Sequence, residues 1–166
     1  MRQKIQSDSA NADGLFRDAE RKEDRGDFRG AFESHLAAAR LGNVLSQLAV
    51  GNFYSTGRGV KRNAQEAARW YMKVYRNGVS AGAVNLSVDL QNQGNMRGAI
   101  AWLKRAAAMN DGDACVQLAR IYLKRRGGTK TAASLLRKAT SFSSSGTSND
   151  AREQAEVLLK SIENAS

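Results

Sequence analysis

His35 is the single histidine of the chain and Cys115 its single cysteine. Nucleophilic chemistry of the Ser–His or Cys–His kind needs such a side chain with a positioned partner, and a metal needs several ligands together. Neither residue has that setting in the sequence. His35 occupies a packing position in ESHLAAA, and Cys115 falls on the apolar face of a helix, where a thiol behaves as a small hydrophobe. Asp13, Glu20 and Glu23 share one face of the first predicted helix. Paired carboxylates can do acid–base work, but nothing in the pattern encloses these three, and a solvated or partner-facing role fits them better. The glycine-rich strings GRGVKR and RRGGTK lack the P-loop spacing and follow no predicted strand, so they read as loops between helices. No catalytic, cofactor-binding or metal-ligating residue is assigned, no cofactor is implied, and the chain is not expected to be an enzyme.

The elements that would position these residues come from a repeat. Ala31, Ala67, Ala99 and Ala132 are each followed, three and four residues on, by a pair of packing residues: Ser34 and His35, Trp70 and Tyr71, Trp102 and Leu103, Leu135 and Leu136. Recurrence of the tryptophans at equivalent positions marks them as core rather than ligand-stacking residues. Upstream of each copy lies a partner segment with a small residue three positions before its end: Ala19, Gly51, Ser87 and Ala119. Large and small residues at this spacing mark one helix face, and the small one lets a second helix come close. In the first copy Lys22 stands where an aromatic is expected. The chain has no proline, so glycine and asparagine must stop the helices: Gly26, Gly57, Gly59, Gly94, Gly127 and Gly128 inside the hairpins, and Gly42, Gly78 and Asn110 after them. Each copy reads helix, loop, helix, turn.

On these residues the chain resembles the Sel1-like repeat family, a branch of the tetratricopeptide superfamily. The second copy carries the motif most fully, in Gly51, Tyr54, Gly57, Gly59, Val60, Ala67, Trp70, Tyr71 and Gly78. The other copies look like plain tetratricopeptide hairpins. The resemblance implies an all-α fold, an α–α superhelix of about four hairpins whose first helices line a concave face. It implies a scaffold or adaptor and brings no catalytic residues.

The expected organisation is a tail over residues 1–9 and a repeat solenoid over 10–142, with copies at about 11–42, 43–78, 79–110 and 111–142. A polar linker over 143–149 and a capping helix over 150–166 follow, the helix started by Asn149 or Asp150. The resemblance to the tetratricopeptide pattern implies thirteen residues on the concave face as partner-binding candidates: Asp13, Phe16, Glu20, Glu23, Leu48, Asn52, Ser55, Val84, Val88, Gln91, Val116, Arg120 and Lys124. The apolar members serve equally well as packing between neighbouring first helices.

Charge is unevenly spread along the chain. Residues 34–140 hold seventeen basic and four acidic side chains, whereas the flanks are slightly acidic. Such an excess would speed encounter with an acidic partner. The leading expectation is a protein partner engaged through the groove or the basic surface, most concretely a toxin neutralised by an immunity-type protein in the cytosol. The alternatives are an RNA-binding repeat or a general adaptor in a signalling or secretion complex. RNA binding fits less well because the inner positions lack the repeated polar pairs that read bases. No apolar run is long enough to span a membrane, and the opening MRQKIQSDSANADG has no apolar stretch of the signal-peptide kind.

Overall fold

The computed structural model describes residues 2–142 and 146–164, and among them there are helices and no strand. In chain order the helices are α1 (Arg2–Asp24), α2 (Phe28–Arg40), α3 (Val44–Thr56), α4 (Ala64–Arg76), α5 (Ala81–Asn92), α6 (Met96–Ala108), α7 (Gly112–Leu123), α8 (Thr129–Ser141) and α9 (Asn149–Asn164). Helix α1 starts at Arg2, so residues 2–9 continue the first helix instead of forming a tail. Nothing between residues 2 and 13 is a proline or glycine, and a polar stretch without a breaker can extend a helix that is already nucleated. Met1, residues 143–145 of the expected linker and the last two residues of the expected cap lie outside the described residues.

A dipeptide solves the problem of stopping helices without proline. Gly26–Asp27, Gly42–Asn43, Gly94–Asn95 and Asn110–Asp111 each place a left-handed residue, φ 78°, 99°, 77° and 63°, directly before an N-cap. The cap side chain accepts a hydrogen bond from the backbone of the new helix, at Gly30, Ser46, Gly98 and Ala114 respectively. One residue ends a helix and the next begins another, each cap stabilising by about 1 kcal/mol. Helix α9 is capped by Ser148, whose hydroxyl accepts from the Ala151 N–H at 3.2 Å, rather than by Asn149 or Asp150. The Ser148 backbone and hydroxyl both donate to Asp113, at 3.0 and 2.9 Å, which fixes the turn before α9 to the start of α7.

The chain forms two compact units, Met1–Asp89 and Leu90–Ser166, divided within α5. In the first, α1 packs on α2, α2 on α3, and α3 on α4. Phe32 meets Phe53 and Tyr54 edge-on at ring separations of 5.9 and 5.2 Å, with Ala31, Ala39 and Val50 filling the space around them. The longer loop between α3 and α4 folds back on α2: Arg58 lies 3.5 Å above the Phe28 ring, and a Cβ at Gly59 would strike the Phe28 carbonyl. In the second unit α7 packs on α6, α8 and α9, and Leu103, Leu118, Leu136 and Cys115 are fully buried.

The small residues of the repeat sit at helix crossings. Ala19, Ala31, Ala67, Ala99, Ala119 and Ala132 have no exposed surface. At Gly51 an added Cβ would stand 2.5 Å from Cε1 of Tyr71, and that ring is itself buried and tethered by its hydroxyl. Gly51→Ala is therefore expected to destabilise by about 1–3 kcal/mol through overpacking, more than its gain in helix propensity returns. Gly14, with open space around it in α1, gives the opposite sign: Gly14→Ala should stabilise by about 1 kcal/mol. Urea unfolding of the two variants checks the pair, and equal effects of like sign would refute the close-crossing explanation.

Candidate partner-binding face

Nine of the thirteen candidates belong to the first unit. On α1, Asp13 and Glu20 are exposed, while Phe16 and Glu23 are half-buried. On α3, Leu48 and Ser55 are half-buried and Asn52 is exposed; on α5, Val84 is half-buried and Val88 is 42% exposed. Leu45, one turn before Leu48, is 61% exposed. In the second unit Gln91 is half-buried, and Arg120 and Lys124 are exposed. Val116 is only 3% exposed, so it packs in the core and offers a partner no surface. Its place on α7, a helix enclosed by three neighbours, is the reason. Arg120 reaches Gln154 of α9 at 3.3 Å, beside an open hollow of about 380 Å³ lined also by Val157 and Leu158. Glu20 and Glu23 line a wider hollow of about 800 Å³ together with Arg17 and Arg21. Its walls come from α1 alone, and opposite charges alternate along it.

Polar side chains join the helices of the first unit at two levels. At the first, Lys22 and Ser34 stand where other copies carry an aromatic or other apolar pair, and they replace ring packing with hydrogen bonds. The Lys22 ammonium donates to Ser34 at 2.8 Å and lies 2.7 Å from Asp18, and the Ser34 hydroxyl donates to Asp18 at 2.8 Å. The bond from Lys22, then that from Ser34, holds the Asp18 carboxyl below the usual carboxylate range. Next to it His35, 2% exposed, lies 2.9 Å from Glu23 through Nε2 and 3.2 Å from the Ser46 hydroxyl through Nδ1. An ionised carboxylate only accepts, so Nε2 carries a hydrogen. The ring also meets Phe16 and Phe53 at 5.7 and 5.9 Å. Both ring nitrogens are occupied and apolar rings surround them, which makes His35 a structural linker.

At the second level α3 and α5 are joined by two rungs. Asn52 Oδ1 accepts from Asn85 Nδ2 at 3.0 Å and from the Tyr71 hydroxyl at 2.8 Å. The Ser55 hydroxyl donates to Asp89 Oδ1 at 2.5 Å. Asp89 is 8% exposed, and its Oδ2 accepts no hydrogen bond from any described residue. An unmatched buried carboxylate oxygen costs free energy. Burial, and then the charge of Asp89, push the Tyr71 phenol up to about 12, against the nearby Ser55 hydroxyl, which lowers it. Asn52 and Ser55 are inner positions expected from the sequence and Tyr71 is an expected packing residue, whereas nothing in the repeat pattern marks Asn85 or Asp89. One signal was available: Asp89 is the only acidic residue between Glu66 and Asp111, and it falls where the neighbouring copies carry Phe53 and Ile121.

The basic residues lie apart from carboxylates. Of the seventeen in residues 34–140, Arg69 and Arg137 alone form ion pairs among the described residues. Several stack on rings instead: Lys73 on Trp70 at 5.1 Å, Arg105 on Trp102 at 4.3 Å and Arg125 on Tyr122 at 5.5 Å. Both tryptophans are half-buried, packing with one side and carrying a cation on the other. Among the described residues no three metal-binding side chains come together, and no helix is long and apolar enough to cross a membrane.

This arrangement defines an all-α helical-repeat protein. The Sel1 repeat family model matches residues 44–79 and 91–111, the second copy and much of the third, so the chain is similar to that family over these residues. No curated protein matches it significantly. Among solved structures it is similar to a Sel1 repeat protein from Oxalobacter formigenes, with 19% identity and a TM-score of 0.67 over 93% of this chain and 73% of that one. It is also similar to c5321, a protective antigen of uropathogenic Escherichia coli with an SLR fold, at 22% identity and a TM-score of 0.59. That match covers 97% of this chain and 38% of the antigen. A third likeness is to MamA, at 19% identity and a TM-score of 0.55 over 88% of this chain and 92% of that one. These neighbours establish an all-α helical-repeat fold. Repeats of this family generally mediate protein–protein interaction and are typically non-catalytic.

Tyr71 supplies a pH test. An unfolded tyrosine ionises near 10 and the folded one near 12. Stability from this group is complete below pH 10 and is lost as pH rises through about 12, because the unfolded chain releases its proton first. Tyr71→Phe should flatten that decline in urea melts while costing about 1 kcal/mol at neutral pH. Asp89→Asn should lower the phenol's pKa in an absorbance titration. Cys115 supplies a second test. Burial pushes its thiol up, so a thiol reagent should leave it unmodified in the native protein and label it once urea unfolds the chain.

Proposed function

We propose that the chain is a non-catalytic scaffold that holds a protein with an acidic surface. The observation that carries this reading is the set of exposed cations with no carboxylate beside them, such as Lys124 and Arg126. Solubility is served by mixed charge, whereas a one-sided field raises the rate of encounter with the opposite sign. The family's general role in protein–protein contact supports the same reading, as does the apolar surface that Leu45 and Val88 expose on first helices. A toxin held by an immunity-type protein is one partner of this kind. No described residue distinguishes it from other acidic proteins, and the partner is therefore defined by its charge.

Affinity purification from the chain's own host should return a stoichiometric acidic protein after nuclease treatment. Recovery of nucleic acid alone, or of no partner, would sink the proposal. With the partner in hand, Lys124→Glu with Arg126→Glu should weaken the complex about ten-fold or more at low salt, chiefly through the association rate. The difference should shrink as salt shortens the screening length to about 3 Å at 1 M.

A further inference from the structure

Asn77 is the only asparagine of the chain followed by glycine. In that dipeptide the glycine amide nitrogen, once deprotonated, can attack the asparagine Cγ, because glycine has no side chain to block the approach. The bond from Cγ to Nδ2 breaks, the departing nitrogen takes up a proton and leaves as ammonia, and a cyclic imide closes. Water then opens the imide, at one carbonyl to give aspartate and at the other to give isoaspartate. Asn77 and Gly78 are both exposed at the turn between α4 and α5, so water reaches them. The fold nevertheless holds the reacting groups apart. Asn77 caps α4 with ψ 10°, which turns its Cβ well away from the Gly78 nitrogen. That nitrogen already donates to the Tyr75 carbonyl at 3.0 Å, and the Val79 nitrogen donates to the Val74 carbonyl at 3.3 Å. The Asn77 carboxamide is itself tied down, Nδ2 donating to Gln47 Oε1 at 2.9 Å.

Gln47 is 1% exposed, and its own Nε2 donates to the Ala39 carbonyl at 3.2 Å. One buried amide therefore ties together the last turn of α2, the first turn of α3 and the end of α4. An aspartate at position 77 has no donor for this link. Ionised, it only accepts, so it sets a charge against Gln47 Oε1 and leaves that buried oxygen unmatched. Turning the Gln47 amide over would serve the aspartate but point Oε1 at the Ala39 carbonyl. Isoaspartate also inserts a methylene into the backbone of the turn. We propose that Asn77–Gly78 is a fold-guarded self-modification site. It stays intact while α4 keeps its last turn, reacts when that turn opens, and cannot return to the guarded state afterwards. The only co-reactant is water. Its rate in the folded protein is the unfolded-chain rate multiplied by the fraction of molecules open at the turn. The site thus converts transient opening of the α4–α5 turn into a permanent mark, and does so whatever partner the scaffold holds.

The test incubates the whole protein at neutral pH, folded and in urea, and follows position 77 by peptide mapping with mass spectrometry. Asn77 should survive at least about ten-fold longer in the folded chain than in the unfolded one. Gln47→Met removes the clamp at similar volume, and should speed the folded-state reaction several-fold while leaving the rate in urea unchanged. Asn77→Asp is the direct product. It should lower the urea midpoint, and by more than Asn77→Ala, which loses the bond but adds no charge. Equal lifetimes of Asn77 in the folded and unfolded chains would overturn the proposal, and that comparison needs no variant. So would an Asn77→Asp melt that matches the native one, or a folded Gln47→Met chain that reacts no faster than the native chain.

Discussion

Close crossing of the helices is the constraint on which this chain depends. Short helices bury little surface each, so they hold together only if their axes approach closely enough for side chains to interlock. Residues without bulk sit where they cross. Gly51 leaves no room for even a methyl group beneath the Tyr71 ring, and alanines at 19, 31, 67, 99, 119 and 132 have no exposed surface. At Gly51 an added Cβ would run into the buried ring of Tyr71. Much of the chain's variability is accordingly confined to positions beside the crossings, where a large residue on one helix leans over the small residue of the other.

Those neighbouring positions are where the copies diverge. The same site holds His35, Tyr71, Leu103 and Leu136, all at most 2% exposed. The leucines fill it with hydrocarbon, while His35 and Tyr71 fill it with a ring and send a polar atom to the adjoining first helix, reaching Glu23 and Asn52. The ring supplies the packing a leucine would have supplied, and the polar tip adds direction. A hydrocarbon core tolerates small rotations of one helix against another, but a buried hydrogen bond loses most of its worth when donor and acceptor drift apart. Polar seams of this kind give up stability for a fixed register. Lys22 and Ser34 make the same exchange near the start of the chain, at a site where half-exposure keeps the desolvation cost low.

How much of this could be read in advance follows from what repeats. The helices, their small crossing residues and the glycine stops recur in register, so four imperfect copies reinforce one another in the sequence. Gly42 and Asn110 were legible as left-handed stops because each follows the last apolar position by the same interval. Features peculiar to one copy had no such reinforcement. The Asn52–Asn85 rung involves an asparagine in the second copy and one in the third, at positions that do not match in the alignment, and only the helix packing brings them within 3.0 Å. Ser148 as the cap of α9 was hidden for a similar reason: four polar residues in a row each offer a side-chain oxygen that can cap a helix, and the anchoring Asp113 lies 35 positions away. Val116 could be read either as groove surface or as packing between helices, and its 3% exposure decides for packing.

The charge of the chain and its polar seam operate over different ranges. Exposed cations act at a distance, over about 8 Å at physiological salt, and they discriminate poorly because any acidic surface satisfies them. The cations here are also attached by long side chains or held loosely over rings, as Lys73 is over Trp70, so they can follow a partner's charges without fixing its position. The hydrogen bonds of the seam act only at contact, holding Asn52 to Tyr71 at 2.8 Å and to Asn85 at 3.0 Å. The cations can therefore move without disturbing the fold, whereas the seam is fixed by the close approach of Gly51 to Tyr71 and by the hydrogen bonds of Tyr71 and Asp89.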